Sequence, residues 1–261
     1  MTTAAVAKFK IESRTEMAAD HVELLLEAPA LAEAVPGQFV HVRTPGMLRR
    51  PISFSRLLPK TQQAGLLFQV VGEGTRWLAQ QRPGQWLDVL GPLGHGFPAP
   101  DPDLPWCLVG GGVGIPPLYA ALSAWRDSMR APITAILGAR RADYVIMAED
   151  FSGLIGEVAI TTDDGSRGER GTVLGPLRRW RARHPDGQIY ACGPTPMLAG
   201  VSHVGAGAGK LYLALEQRMG CGVGACLACV VLAHGAPGEG PVWRRVCHDG
   251  PVFRGEELIW S

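Results

Sequence analysis

The feature that most restricts how this chain can fold is Met219-Gly220-Cys221-Gly222-Val223-Gly224-Ala225-Cys226-Leu227-Ala228-Cys229, answered further on by Cys247. Three thiols crowd one short loop and a fourth comes from a separate segment, so the fold must bring two stretches to one point. The spacing Cys-x4-Cys-x2-Cys…Cys suits a cluster of two irons and two sulfides held by four thiolates. Gly220, Gly222 and Gly224 carry no Cβ, so the loop can enter positive φ and aim backbone N–H groups at sulfur, offsetting the negative charge of such a cluster. Cys221, Cys226, Cys229 and Cys247 are therefore the candidate metal ligands. Structural zinc also takes four thiolates, but usually from two separated knuckles, which the bunched triplet fits poorly. Disulfides need an oxidising compartment, and residues 1–10 lack the apolar core and cleavage site of a secretory signal. Six cysteines without such a signal point to a reducing cytoplasm, where thiols bind metal or carry redox chemistry.

At 261 residues, the length suggests about two domains. Lys plus Arg number 25 against 24 for Asp plus Glu, a formal charge of +1, so no electrostatic footprint for nucleic acid is present. No run approaches the roughly twenty apolar residues of a membrane span.

Residues 8–97 read as short strands, among them 22–26, 38–43 and 66–71, punctuated by Pro36-Gly37, Pro45-Gly46 and Pro83-Gly84. A small antiparallel barrel or sandwich is the natural package. Within it, Arg49-Arg50-Pro51-Ile52-Ser53 offers an arginine fork for a phosphate and a hydroxyl for a ring nitrogen of a planar cofactor. Taken alone, an Arg-Arg pair is more often a solvated surface feature. Val71-Gly72-Glu73-Gly74-Thr75-Arg76 places small residues and a hydroxyl at the start of a helix expected over 77–81, where an anion would be accepted; the plainer reading is an ordinary capped helix.

The proline-rich stretch 98–105 reads as a linker. Beyond it, strand 106–109 runs into Gly110-Gly111-Gly112-Val113-Gly114-Ile115-Pro116-Pro117 and a helix to about Met129, the start of a doubly wound α/β unit with its phosphate site at the helix N-terminus. Read from Gly112 the spacing is G-x-G-x-x-P, with Pro117 in place of a third glycine; proline is tolerated in a first helical turn. Strands at 133–137, 157–161 and 188–191 alternate with helices ending near Phe151 and spanning 172–183, which argues for a parallel sheet covered on both faces. Ligands then bind beyond the strand C-termini, where Cys192-Gly193-Pro194-Thr195-Pro196-Met197 follows the last of these strands. The Cys192 thiol there would rest against a nicotinamide ring; the plainer reading is a small buried hydrophobe. Residues 211–216, helix or strand, lead into the cysteine loop, and 230–233 with 242–246 form a hairpin that delivers Cys247.

Taken together, Arg50-Pro51-Ile52-Ser53, Gly112-Val-Gly-Ile-Pro-Pro117, Cys192-Gly-Pro-Thr-Pro-Met197 and the four cysteines occur in the order seen in the ferredoxin-NADP reductase superfamily. Within it the chain resembles the electron-transfer subunits of dihydroorotate dehydrogenase B over nearly its whole length. The resemblance implies an antiparallel FAD-binding barrel over 1–98, a doubly wound parallel-sheet NAD(P)-binding domain over 99–205 and a small [2Fe-2S] domain over 206–261. Carried over by position, it puts Arg50, Pro51, Ile52 and Ser53 on the flavin and its pyrophosphate, Leu67, Phe68 and Gln69 on the adenine-ribose side, and Gly74 and Thr75 on the phosphates. Gly111, Gly112, Val113, Gly114, Pro117, Cys192, Gly193 and Pro194 would receive the nicotinamide nucleotide, with Ser53 and Cys192 at the reacting ring. Gln69 stands where the subfamily often has arginine, and His95 where asparagine is usual. His95 lies in a loop expected near the flavin.

The resemblance implies an oxidoreductase subunit that passes electrons between a catalytic partner's flavin and NAD through [2Fe-2S] and FAD. Its setting would be dihydroorotate oxidation in pyrimidine biosynthesis, within a cytoplasmic heterotetramer. A (β/α)8 substrate barrel alone needs about 250 residues, so the substrate would be oxidised in another chain. A reductase subunit of an electron-bifurcating transhydrogenase, sulfide dehydrogenase or hydrogenase would carry the same cofactors, and a cluster- or zinc-binding sensor would keep the cysteines alone. NAD or NADP is left open, with Arg140 and Arg141 set against Asp163 and Asp164 near the expected ribose.

Overall fold

The computed structural model describes residues 4–207, 210–236 and 238–260. The first three residues of the segment read for a secretory signal, and Pro237 within the expected hairpin turn, lie outside them. Six strands close the first unit: β1 (Ala5–Ala18), β2 (His21–Glu27), β3 (Phe39–Val42), β4 (Arg50–Leu58), β5 (Gln63–Gln69) and β6 (Trp86–Leu93). Every neighbouring pair is antiparallel, and the order round the barrel is β1-β2-β5-β4-β3-β6. Two short helices, α1 (Pro29–Ala32) and α2 (Glu73–Ala79), sit in its connections. Strand β3 is buried on both faces. Because side chains alternate, Val40 and Val42 fill the barrel with Leu24, Leu66 and Val89. Phe39, facing outward, joins a second core with Cys229, Cys247 and Phe253. One strand thus welds the barrel to the cysteine segment.

The second unit begins with β7 (Trp106–Gly111), α3 (Ile115–Trp125), β8 (Ile133–Ala139), α4 (Ala148–Ser152), β9 (Glu157–Thr162) and β10 (Glu169–Arg170). It continues through α5 (Leu174–Arg183), β11 (Gln188–Cys192), α6 (Thr195–Gly205) and β12 (Lys210–Ala214). β7 is buried at every position, as a central parallel strand covered on both faces must be. Leu118, Leu122 and Phe151 of α3 and α4 pack on one face, and Leu177, Trp180, Leu198 and Val201 of α5 and α6 on the other. The fold is thus the antiparallel barrel plus doubly wound sheet that the strand pattern predicts.

The chain ends with β13 (Val230–Ala233), β14 (Val242–Arg245) and β15 (Val252–Arg254). β13 and β14 form the expected hairpin, Val230 opposite Arg245. The sheet order β10-β9-β8-β7-β11-β12-β15 departs from the division at 205/206, because β12 and β15 both come from the 206–261 segment yet are strands of the sheet. β15 runs antiparallel to β12, Leu213 opposite Phe253. The 98–105 stretch is not a free linker either. Gln188 receives the Asp101 N–H at 2.9 Å and donates to the Asp101 carbonyl at 2.7 Å, and the Tyr190 hydroxyl donates to the Pro98 carbonyl at 2.9 Å. Among the described residues no helix is long and apolar enough to cross a membrane.

Candidate functional site

A cleft of about 740 Å³ opens where barrel and sheet meet. Arg50, Pro51, Ile52 and Ser53 enter it from the start of β4, Leu67, Phe68 and Gln69 from the end of β5, and Thr75 from α2. Val113, Gly114 and Pro117 face them from the glycine loop after β7, and Cys192, Gly193 and Pro194 from the end of β11. Strand β12 adds a wall that the motifs did not reveal. Ala214 and then Leu215, Glu216, Gln217, Arg218 and Met219 line the cleft, and the chain passes directly from there into Cys221.

Three of the expected glycines, Gly74, Gly111 and Gly112, do not line the cleft. A Cβ on Gly74 would fall 2.6 Å from Arg50 Nε and 2.9 Å from the buried, unpartnered hydroxyl of Thr44. A Cβ on Gly111 would fall 2.5 Å from Met197 Sδ, while Gly112 takes φ of +53° with open space around it. Gly114 meets the opposite strand most closely, since a Cβ there would sit 2.2 Å from the Cys192 carbonyl oxygen. Its missing side chain is what lets the glycine loop lie on Cys192-Gly193.

The two adjacent arginines divide their work. Arg49 forms a 2.7 Å ion pair with Asp88 and donates to the Asp88 and His41 carbonyls. Arg50 makes no ion pair among the described residues and donates to the Leu48 carbonyl at 2.9 Å, which leaves a cation in the cleft for an anionic ligand. The Thr75 hydroxyl is already committed, accepting from the Val71 and Gly72 N–H groups at 2.9 and 3.0 Å, so it shapes the turn before α2. Burial, followed by the Glu216 carboxylate, pushes the Cys192 thiol up to about 12. Cys192 therefore meets a ligand as a neutral, polarisable surface rather than as a thiolate nucleophile.

His95 is exposed and absent from the cleft wall, and its N–H is bonded to the Gly250 carbonyl at 2.6 Å. Arg141 pairs with Asp143 at 3.0 Å, and Asp164 accepts from the Ser166 N–H at 3.0 Å. None of Arg140, Arg141, Asp163 and Asp164 lines the cleft.

The four cysteines of the loop and hairpin are brought together. Gly222 and Gly224 take φ of +74° and +80°, turning successive amides inward. The N–H groups of Ala225, Cys226 and Val223 point at Cys221 Sγ at 3.2, 3.4 and 3.5 Å, and that of Cys221 at Cys226 Sγ at 3.4 Å. The Gly224 N–H reaches Cys247 Sγ at 3.1 Å, and the Cys247 N–H reaches Cys229 Sγ at 3.4 Å. Burial alone would raise the Cys221 thiol, but these amides and the Cys226 side chain bring it down to about 6. Burial and the neighbouring Cys229 push Cys247 up to about 12, so the Cys247 thiol carries a proton that bound metal would displace. The sulfurs stand as two pairs, Cys221 with Cys226 and Cys229 with Cys247. Two bridged irons each need such a pair, and amides donating to sulfur are the second requirement of a charged cluster. The residues present fit that group. Arg245 ties the hairpin to the loop, donating to the Gly224 carbonyl at 3.3 Å while paired with Asp249 at 2.9 Å.

His41, which the motifs did not flag, lies under this loop. It is wholly buried, neither ring nitrogen has a partner among the described residues, and burial followed by Arg49 lowers its pKa to about 4.

Known proteins match the chain both in segments and over most of its length. Residues 216–259 match the model described as iron-sulfur cluster binding domain of dihydroorotate dehydrogenase B, and residues 108–203 match the oxidoreductase NAD-binding domain. The chain is 43% identical to the dihydroorotate dehydrogenase B (NAD(+)) electron transfer subunit of Geobacillus kaustophilus (strain HTA426), over 86% of each chain. It is 40% identical to the protein of the same name from Shouchella clausii (strain KSM-K16), over 97% of each. Among solved structures it resembles one reported for an NADH-dependent reduced ferredoxin-NADP oxidoreductase in flavin-based electron bifurcation. There the TM-score is 0.84 at 32% identity, covering 98% of this chain and 91% of the other.

Proposed function

The chain belongs to the family of dihydroorotate dehydrogenase B electron transfer subunits, and from that membership we propose that it carries electrons between a catalytic flavoprotein partner and NAD in dihydroorotate oxidation to orotate. The observation that carries the reading is the continuous wall from Ala214 to Met219, which lines the cleft and runs without interruption into Cys221. When bound, FAD supplies the exchange between the paired electrons of a nicotinamide and the single electrons of a [2Fe-2S] cluster.

Arg50 holds the flavin pyrophosphate, supported by its having no acidic partner among the described residues and by Gly74 packed beneath it. Ser53 offers its hydroxyl to the flavin ring, Pro51 and Ile52 shape the surface beside it, and Leu67, Phe68 and Gln69 line the adenine-ribose side. Thr75, through its bonds to Val71 and Gly72, holds the turn that presents amides to the phosphates. Val113, Gly114 and Pro117 receive the nicotinamide nucleotide opposite Gly193 and Pro194, with Gly111 and Gly112 shaping the loop that carries them, and the neutral Cys192 thiol orients its ring and excludes water. Cys221, Cys226, Cys229 and Cys247 hold the cluster.

The surface beyond the loop where Leu227 and Trp243, 61% and 67% exposed, line one depression with Val230 offers apolar anchors for the catalytic subunit. We place the assembly as a heterotetramer in the cytoplasm. In the test, anaerobic NADH should bleach the flavin and reduce the cluster in the isolated chain, while dihydroorotate does so only once the catalytic subunit is added. Reduction by dihydroorotate with this chain alone would overturn the division of labour. A second reading, the small subunit of an electron-bifurcating NADH-dependent oxidoreductase, draws on the 0.84 TM-score. The native partner recovered with the chain separates the two.

A further inference from the structure

Within the cysteine loop, the position that must be glycine is also the one whose freedom has to be restrained. A Cβ at Gly224 would fall 2.9 Å from His248 Cβ, and the backbone there stands at φ of +80°, so a side chain is excluded twice over. Glycine in turn lets the peptide that follows it rotate, because no Cβ selects one ψ. That peptide takes its carbonyl from Gly224 and its N–H from Ala225. The N–H points at Cys221 Sγ at 3.2 Å, nearer than the Cys226 and Val223 amides at 3.4 and 3.5 Å. The carbonyl and N–H of a trans peptide point in opposite directions. Half a turn of this unit would take the donor off the sulfur and aim a carbonyl at it instead.

Arg245 opposes that turn. Its Nη1 donates to the Gly224 carbonyl at 3.3 Å, at the end of the peptide away from Cys221. The guanidinium is itself fixed, because Nε and Nη2 engage the two carboxylate oxygens of Asp249 at 3.1 and 2.9 Å, and Asp249 also accepts the Arg245 N–H at 2.8 Å. A two-pronged pair sets the plane of the guanidinium, and the third nitrogen is then left for the loop. Nη2 also lies 3.2 Å from His248 Nδ1. A donor on the carbonyl polarises the peptide and strengthens the bond its N–H makes by only about 10–30%. Orientation is the larger effect, since a turned peptide loses that bond outright.

We propose that Arg245 is a positioning residue for the cluster, holding the Gly224–Ala225 peptide with its N–H on the Cys221 sulfur and so raising the potential at which the cluster takes up an electron. The inference rests on reading the four thiols as [2Fe-2S] ligands. Hydrogen bonds to sulfur stabilise the more negative, reduced state. The hairpin that delivers Cys247 thereby also sets the electronic surroundings of a ligand on the other segment.

The test uses the full holoprotein, grown with backbone-15N-labelled alanine and reduced with dithionite. Pulsed EPR should show a 15N coupling to the cluster that disappears in Ala225→Ser, where the labelled amide is gone. Arg245→Met should weaken the same coupling and lower the ratio of reduced to oxidised cluster about tenfold at fixed potential, equivalent to about 59 mV for one electron. Asp249→Asn separates orientation from charge. Removing a negative charge would by itself raise the potential, whereas loosening the guanidinium should lower it and weaken the coupling. Wild-type protein without the Ala225 coupling, iron-replete Arg245→Met with wild-type coupling and potential, or Asp249→Asn with a raised potential and unchanged coupling would each overturn the proposal. If Arg245→Met fails to hold iron, the wild-type and Asp249→Asn spectra decide. Wild-type protein with no iron signal would sink the ligand reading itself, a distinguishable failure.

Discussion

Gly114→Ala is the substitution that most directly tests how the nicotinamide side is built. The backbone at Gly114 has φ of −80° and ψ of −11°, which alanine adopts freely, so any effect must come from space alone. The new methyl would lie 2.2 Å from the Cys192 carbonyl oxygen, 2.3 Å from its carbon and 2.5 Å from the Gly193 nitrogen. That is roughly 1 Å or more inside ordinary contact, and all three obstacles are main-chain atoms that cannot swing away. β7 and β11 are neighbours, Gly110 opposite Cys192, so the two loops must part at their tips. Overpacking of this kind costs about 1–3 kcal/mol. A misplacement of about 1 Å costs on the order of 100-fold in a step that depends on alignment. Stopped-flow mixing with NADH under anaerobic conditions should show flavin reduction slowed on that order, with flavin and iron content unchanged. A Gly114→Ala protein that is reduced at the wild-type rate and melts at the wild-type temperature would refute the reasoning.

Other consequences are as open to measurement. Raising the Cys192 thiol from 9.0 to about 12 lowers its thiolate fraction about a thousandfold below pH 9, so alkylation of the cluster-loaded protein should leave Cys192 unmodified at pH 8 and accelerate as pH climbs from 9 toward 12. Arg56 joins barrel to sheet, pairing with Glu23 at 3.1 Å and Asp150 at 2.7 Å with its guanidinium 5.0 Å from the Tyr119 ring. Arg56→Met strands the nearly buried Glu23 carboxylate and should cost about 3 kcal/mol in denaturant unfolding; Glu23→Gln in the same background should recover part of it. Trp243→Ala should leave the unfolding free energy within about 0.5 kcal/mol of wild type yet weaken the catalytic subunit's binding by more than about 1 kcal/mol in calorimetry, as an interface anchor does.

The strands of the barrel and the central strand β7 were legible because their apolar residues alternate or run unbroken, and β7 is followed by glycines that nothing but a tight loop requires. The cysteine spacing carried its own geometry. Less could be read where a residue's role depends on a remote neighbour. Leu211-Tyr212-Leu213-Ala214-Leu215 fits either periodicity, so β12 was ambiguous, and with it the wall from Ala214 to Met219. β15 has three residues and exists only because β12 offers an edge. Arg49 and Arg50 look equivalent in sequence; Asp88, on β6, separates them. His41 reads as one more residue of a strand, and nothing local announces that the strand is buried on both sides.

The outermost position of β15 in the sheet ties metal supply to solubility. Cys247 lies only a few residues before β15, and the hairpin carrying it is tied to the cysteine loop through Arg245. In a polypeptide made without iron, the pairing with β12 and the buried Phe253 alone would hold this tail, and its release would bare the rim of β12 along residues 212–214. Uncapped rims of this kind template self-association, so starved cells would be expected to accumulate aggregates rather than a dormant soluble reserve awaiting repair.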